Sequence, residues 1–272
     1  MSGKGGAAAP LVTALTPTVC ALFGVEPPAQ SAREPLEEVI SAARRDGAGR
    51  VAKCLIYAPD AIGALFLEER RRLAERIRAR ARVEVTLESV SPTYTPVCFA
   101  SMFTGALPEA HGIRKYEKPV VGIDTIFDAL VRAGKRIAII AVADSSIDLI
   151  FRGRAVDQFS EKYDPQVTER AIDLVRGGEH DLVLAYHQEY DDMMHRRGPN
   201  SAVAVRAAES HVADFERLCD AAAEAWRKHP YAVVFAPDHG AHSSENGRGT
   251  HGTDLAEDML VRHFYGVRGL GR

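Results

Sequence analysis

The sequence predicts an α/β protein with a mostly parallel sheet sandwiched between helices. Two observations carry that expectation. Five short apolar runs read as strands, and amphipathic or well-capped helical segments separate them. VAKCLIY, Val51 to Tyr57, is bounded by polar residues and is the first strand. LFLEERRRLAERIRARA, Leu65 to Ala81, has helical spacing and a charged face. VEVTLESV, Val83 to Val90, follows as a strand. TIFDALVRAG, Thr125 to Gly134, is a helix that ends at a glycine. RIAIIAVA, Arg136 to Ala143, is the most strand-like segment of the chain. Asp164-Pro165 opens a helix, with Asp as cap and Pro at the first helical position, that runs to Gly177-Gly178. DLVLAYH, Asp181 to His187, is a strand, Asn200 to His229 a long amphipathic helix, and YAVVFAP, Tyr231 to Pro237, the last strand.

No repeat, linker or low-complexity block divides the 272 residues, so a single domain without a large cap is expected, with the Gly/Ala-rich first nine residues mobile. Hydrophobic residues at 46% and charged ones at 26% suit a chain with a real core. A net charge of −3 gives no electrostatic case for nucleic acid or an anionic membrane. No apolar run reaches membrane-spanning length. The N-terminus has a lysine and small apolar residues, but prolines and threonines interrupt it as a signal peptide. Cys20, Cys54, Cys98 and Cys219 form no CxxC pair, which argues against a cysteine zinc site. Widely spaced thiols fit a reducing compartment, and a cytoplasmic location is expected.

In open α/β sheets ligands bind beyond the carboxyl ends of the strands. Asp60 follows the first strand, SPTYT with Thr95 the second, and Asp144 the third. After the fourth come Asp191, Asp192 and His195, and after the fifth Asp238, His239, His242 and His251. Each has an ordinary reading. Asp60 can cap the next helix, Asp191 and His195 can be a surface pair one turn apart, Asp238-His239-Gly240 can be a turn, and Pro-Thr-Tyr-Thr-Pro can simply end a strand. Together they crowd one rim, where the carboxylates repel unless cations hold them. Three Asp and three His make a ligand set for two divalent ions, zinc first, manganese or iron also. A cation on a threonine oxygen makes that hydroxyl a nucleophile without a histidine base.

PTYTPVCFASMFTGALPEAHGI, Pro92 to Ile113, DDMMHRRGP with Asp191, His195, Gly198 and Pro199, PDHG with Asp238 and His239, and GTHG with His251 occur in that order. In this the sequence resembles the alkaline phosphatase superfamily, and within it the type I phosphodiesterase/nucleotide pyrophosphatase branch, from about Val51 to His263. The resemblance implies an alkaline-phosphatase-like core. It implies that Thr95, and not Thr93, is the nucleophile of a hydrolase that cleaves phosphodiester or pyrophosphate bonds through a phosphothreonine. Asp191, His195 and His251 would hold one metal ion, and Asp60, Asp238, His239 and the Thr95 oxygen the other. The partner implied is a small phosphate ester.

The sequence also departs from the family. Cys98 stands where the nucleotide pyrophosphatases carry an Asn three residues after the nucleophile. RKYEKP replaces the stretch with a further Asn, and Arg114, Lys115 or Lys118 can supply a cation there, or form only a solvated charge run. Cys98, Arg114, Lys115 and His242 are therefore the candidate substrate-binding residues. Hydrolysis of phosphomonoesters or phosphonates on the same scaffold is the alternative, with a non-catalytic metal-binding protein behind it. The sulfatase motif is absent from TPVCF. LTPTVCALFGVEPP, Leu15 to Pro28, resembles a segment that family members carry after the last metal histidine, which raises circularly permuted termini as an expectation. Asp144, Asp192, His187 and Glu189 have no assigned role.

Overall fold

The computed structural model describes residues 9–31 and 34–270. The expected mobility of the N-terminus falls almost wholly on residues 1–8, outside the described residues. Nine strands are present among the described residues: β1 Lys53–Pro59, β2 Val83–Glu88, β3 Ile137–Val142, β4 Asp157–Glu161, β5 Leu182–His187, β6 Tyr231–Phe235, β7 His242–Ser243, β8 Gly249–Thr250 and β9 Leu260–Arg268. Seven form one sheet in the order β2-β9-β6-β1-β5-β3-β4, and β7 and β8 make a small hairpin. Neighbours from β6 to β4 pair in parallel, while β9 runs antiparallel between β2 and β6.

Alternation along β1 shows how helices cover both faces. Cys54, Ile56 and Ala58 enter a core with the helices Leu15–Phe23, Thr95–Thr104 and Ile126–Arg132. Leu55 and Tyr57 enter a second core with the helices Arg71–Arg80, Asp164–Gly177 and Ala202–Ala225. The predicted helix over Leu65 to Ala81 is two helices, Ala64–Glu69 and Arg71–Arg80, broken where Arg70 leaves helical geometry. Two sheet strands escape sequence reading. β4 is an edge strand of polar residues with no apolar run. β9 carries Arg262 and a fully buried His263, whose Nε2 lies 2.8 Å from the Pro237 carbonyl oxygen.

The helix Leu15–Phe23 is docked rather than detached. Thr16 Oγ1 donates to the Met102 carbonyl at 2.7 Å, and the Glu88 amide donates to the Pro10 carbonyl at 2.8 Å. Leu260 pairs with Glu88, near Pro10, whereas Arg268 lies at the other end of β9. Eight residues of strand put those ends about 27 Å apart. Among the described residues, no helix is long and apolar enough to cross a membrane.

Candidate metal centre and active site

Because β1, β3, β5 and β6 are parallel, their carboxyl ends share one rim. Asp60 follows β1 directly, Asp191 and His195 lie one turn apart on the helix Glu189–Arg197 after β5, and Asp238 and His239 follow β6. Thr95 is the first residue of the helix Thr95–Thr104, so its hydroxyl sits at the positive end of that helix. The structure brings these residues together as two clusters. In one, ligand atoms of Asp60, Asp238 and His239 lie within 4.8 Å of one another; in the other, those of Asp191, His195 and His251 do. Thr95 Oγ1 is 3.4 Å from Asp60 Oδ1 and 3.3 Å from His239 Nε2.

Three observations show that cations fit. First, each histidine is anchored through Nδ1 on a backbone carbonyl: His239 on Gly240 at 3.0 Å, His195 on Gly249 at 3.1 Å, His251 on Thr93 at 2.7 Å. A carbonyl only accepts, so Nδ1 carries a proton and it is Nε2 that each ring turns into its cluster, as a lone pair when the ring is neutral. Second, His195 Nε2 and His251 Nε2 face each other at 3.0 Å, each 3.4 Å from Asp191 Oδ1. Two lone pairs and a carboxylate at that spacing repel unless a positive charge lies among them. Third, Asp191 Oδ1 and Asp238 Oδ2 are buried without a hydrogen-bond partner, one orphan oxygen in each cluster.

The electrostatics agree. Burial pushes the Asp60 carboxyl well above its ordinary range, and the Asp191 carboxylate adds to that. Burial and then Asp60 do the same to Asp238. Burial, helped by His251, pushes His239 well down. For His251 burial disfavours the imidazolium, but Asp191 outweighs it and the pKa rises. Without metal, protons are drawn to the places where divalent cations would sit.

Local backbone explains the motif residues. Ala61 has a left-handed φ of 63°, which aims its amide at Asp238 Oδ1, 3.3 Å away. In the Asp-His-Gly motif, a Cβ on Gly240 would lie 2.0 Å from the Glu257 carbonyl oxygen. Thr93, the other threonine of Pro-Thr-Tyr-Thr, is structural: its Oγ1 accepts from the Gly252 amide at 2.9 Å, and its carbonyl anchors His251.

None of the remaining candidates lines the space beside Thr95. Cys98 is fully buried, within reach of Ser89 Oγ and the Val90 carbonyl, and burial pushes its thiol well up. Arg114 reaches back to the Glu109 carbonyl, and Lys115 pairs with Glu117 in solvent. His242 Nδ1 is tied to Asp258 at 2.8 Å and lines a separate surface cavity. Beside Thr95 instead lies a cavity of about 140 Å³ lined by Asp60, Tyr116, Lys118, Asp144, Tyr186, Gln188, Asp191 and Asp192 among others. Of the cations in the RKYEKP run, Lys118 is the one that lines it. Tyr186, which donates to Asp60 Oδ2 at 2.5 Å, was not anticipated; its signal is a tyrosine near the end of an apolar strand.

The family model for type I phosphodiesterase/nucleotide pyrophosphatase matches residues 60–266, from the first carboxylate of the rim into β9. The chain belongs to this family. The family, of metal-dependent phosphoester hydrolases, lies in the alkaline phosphatase superfamily. No curated protein matches the chain in sequence. Phosphonoacetate hydrolase from Sinorhizobium meliloti, solved with phosphonoformate, is similar at 18% identity over 72% of this chain, with a TM-score of 0.52. Murine ectonucleotide pyrophosphatase/phosphodiesterase 5, solved as an inactive variant with AMP, is similar at 16% identity over 71%, with a TM-score of 0.56. This chain spans 59% of the length of each. The C-terminal periplasmic domain of a phosphoethanolamine transferase from Campylobacter jejuni is similar at 12% identity over 80% of both chains, with a TM-score of 0.54. At these identities the likeness concerns the fold.

Proposed function

We propose that the protein is a two-metal hydrolase of phosphodiester or pyrophosphate bonds, with Thr95 as nucleophile. The observation that carries this is the position of Thr95 Oγ1, 3.3 Å and 3.4 Å from His239 and Asp60, at the edge of a cluster with an orphan carboxylate oxygen. Asp60, Asp238, His239 and Thr95 would hold one ion, and Asp191, His195 and His251 the other. Zinc suits the N/O donor set best. Bound cations would acidify the threonine hydroxyl and a water, and offset charge on the phosphoryl oxygens.

Thr95 Oγ1 bonds to phosphorus as the bond from phosphorus to the leaving oxygen breaks, giving a phosphothreonine; the hydroxyl proton passes to solvent and the leaving oxygen takes one up. Water then cleaves that ester and restores the hydroxyl. The positive helix end at Thr95 favours the anionic phosphoryl group. The side chains of Lys118, Tyr116 and Gln188 bound the space into which the rest of the substrate projects. That space favours small substrates. Four free, buried cysteines support a reducing, cytoplasmic setting.

A specific observation favours a second reading, phosphomonoester or phosphonate hydrolysis: Lys118 faces the same cavity as Thr95, and a cation there suits a more highly charged anion. The test is turnover of a chromogenic phosphodiester beside its monoester, with Zn²⁺ or Mn²⁺, for wild type and Thr95→Ala. Diester turnover that falls at least about 10³-fold in the variant supports the proposal. Monoester preference with the same loss moves the assignment to a phosphatase. Turnover that survives Thr95→Ala removes the nucleophile.

A further inference from the structure

A third group of potential ligand atoms, from Asp164, His187 and His211, lies buried behind the rim with metal-like spacing. Its hydrogen bonds show a different purpose. Asp164 Oδ1 accepts from the Gln188 amide at 3.1 Å, and Oδ2 from the Glu189 amide at 2.9 Å. His211 Nε2 lies 3.1 Å from the Tyr190 amide, which only donates, so this nitrogen accepts. The proton of His211 is then on Nδ1, 3.0 Å from Tyr57 Oη. Tyr57 can donate onward to His187 Nδ1 at 2.8 Å, His187 Nε2 to Thr168 Oγ1 at 3.1 Å, and Thr168 to the Asp164 carbonyl at 3.2 Å. One direction of donation satisfies the whole chain with both imidazoles neutral. The ligand atoms facing inward are already engaged, unlike the orphan oxygens and inward lone pairs of the two rim clusters.

What this network holds is the start of a helix. The first amides of a helix have no partner within it. The helix Glu189–Arg197 has no side-chain cap of its own, and its opening amides are taken by two other helices: Gln188 and Glu189 by Asp164 on Asp164–Gly177, and Tyr190 by His211 on Ala202–Ala225. The next residue is Asp191, and His195 is one turn further. We propose that Asp164 and His211 are positioning residues that set the metal affinity of the Asp191–His195–His251 centre by fixing the first turn of its helix. Asp164 is almost fully buried and His211 fully so, and neither is in the cavity beside Thr95, so each acts through the helix and not on substrate. The inference rests on the two-metal reading of the rim.

The test is a calorimetric titration of the chelator-stripped full chain with Zn²⁺, for wild type, Asp164→Ala, Asp164→Asn, His211→Gln and His195→Ala. The last variant identifies which binding step belongs to the Asp191 centre, and circular dichroism checks the fold of each. We expect two ions in wild type. In Asp164→Ala the step lost in His195→Ala weakens by about 10-fold to 100-fold while the other is unchanged. Asp164→Asn, which keeps one acceptor oxygen, and His211→Gln, which keeps an acceptor, weaken it less. Equal weakening of both steps would mean a general structural role and would overturn the inference. So would two ions with unmoved affinities, or a third ion in wild type that the Asp164 variants lose. A wild type that binds no metal would overturn the function proposal and this inference with it. If Asp164→Ala does not fold, the Asp164→Asn and His211→Gln titrations decide.

Discussion

The imidazole rings of His239 and His251 stack face to face, with centroids 4.2 Å apart and planes 28° from parallel. His239 belongs to the cluster with Asp60 and Asp238, and His251 to the cluster with Asp191 and His195. The stack therefore joins the two clusters into one centre. It brings together loops distant in sequence: Gly240 anchors one ring and Thr93 the other. Thr93 is two residues before Thr95, so the segment that presents the hydroxyl also fixes a histidine of the neighbouring cluster.

Tyr186→Phe tests how Asp60 is supported. The phenol donates to Asp60 Oδ2 at 2.5 Å, inside a fully buried site. Removing it leaves that oxygen without its partner and frees the carboxylate to turn. Affinity for one of the two divalent ions should fall about 10-fold to 100-fold with the fold intact, measured by titration calorimetry. An unchanged affinity would mean that the Thr95 hydroxyl, 3.4 Å from Asp60 Oδ1, suffices to hold Asp60.

Lys118→Ala tests the cavity. Lys118 Nζ donates to the Asp144 carbonyl at 2.8 Å and lines the space beside Thr95. Losing the cation should raise KM about threefold to tenfold with kcat nearly unchanged. The rise should be larger for a phosphomonoester than for a diester, and should shrink at high salt, since the group is exposed. Steady-state kinetics at two ionic strengths read this. A fall in kcat alone would place Lys118 in the chemical step instead.

Gly240→Ala tests the close approach behind the Asp-His-Gly motif. The added Cβ would lie 2.0 Å from the Glu257 carbonyl oxygen and 2.8 Å from Gly63 Cα, both backbone atoms. The clash should cost about 2 kcal/mol or more and lower the melting temperature. Arg114→Ala, on an exposed side chain, serves as the neutral comparison.

Asp164 makes a pH-dependent contribution to stability. Burial is the largest influence on its carboxyl and raises it from the ordinary 3.8 to about 7, against the amides of Gln188 and Glu189, which favour the ionised form. His187, His211, Asp214, Glu189 and Asp192 face or surround it. Since the folded chain holds this proton more tightly than the unfolded one, the contribution is fully present below about pH 4 and is lost as pH rises through about 7. Asp164→Asn, which cannot ionise, should flatten that part of the stability curve in urea unfolding between pH 5 and 8. An unaltered slope in the variant would assign the dependence to other groups.

Much of this was legible in the sequence, for a physical reason. Strands buried on both faces are continuous apolar runs, so β1, β3, β5 and β6 stand out. A metal centre needs Asp and His, and a parallel sheet puts them right after those runs, so Asp60, Asp191, His195, Asp238, His239 and His251 were all named from the chain and all meet at the rim. β4 and β9 were not legible, because an edge strand needs no apolar run, and a half-buried Arg262 and a buried His263 break the run in β9. Local pattern also could not choose among Arg114, Lys115 and Lys118, which differ only in where the loop turns them.

By itself the sequence determined the layered α/β class, the chemical types available and their order at the strand ends, because hydrophobic periodicity and residue chemistry are local properties. Only the tertiary structure decided which groups share a space. It stacked His239 on His251, assigned Thr93 to the His251 loop and Thr95 to the site, tied Tyr186 to Asp60, and set Asp164 and His211 behind the helix of Asp191. These contacts join residues far apart along the chain. They exist because a buried polar group must find a partner wherever the packed elements bring one, and no spacing along the sequence encodes that choice.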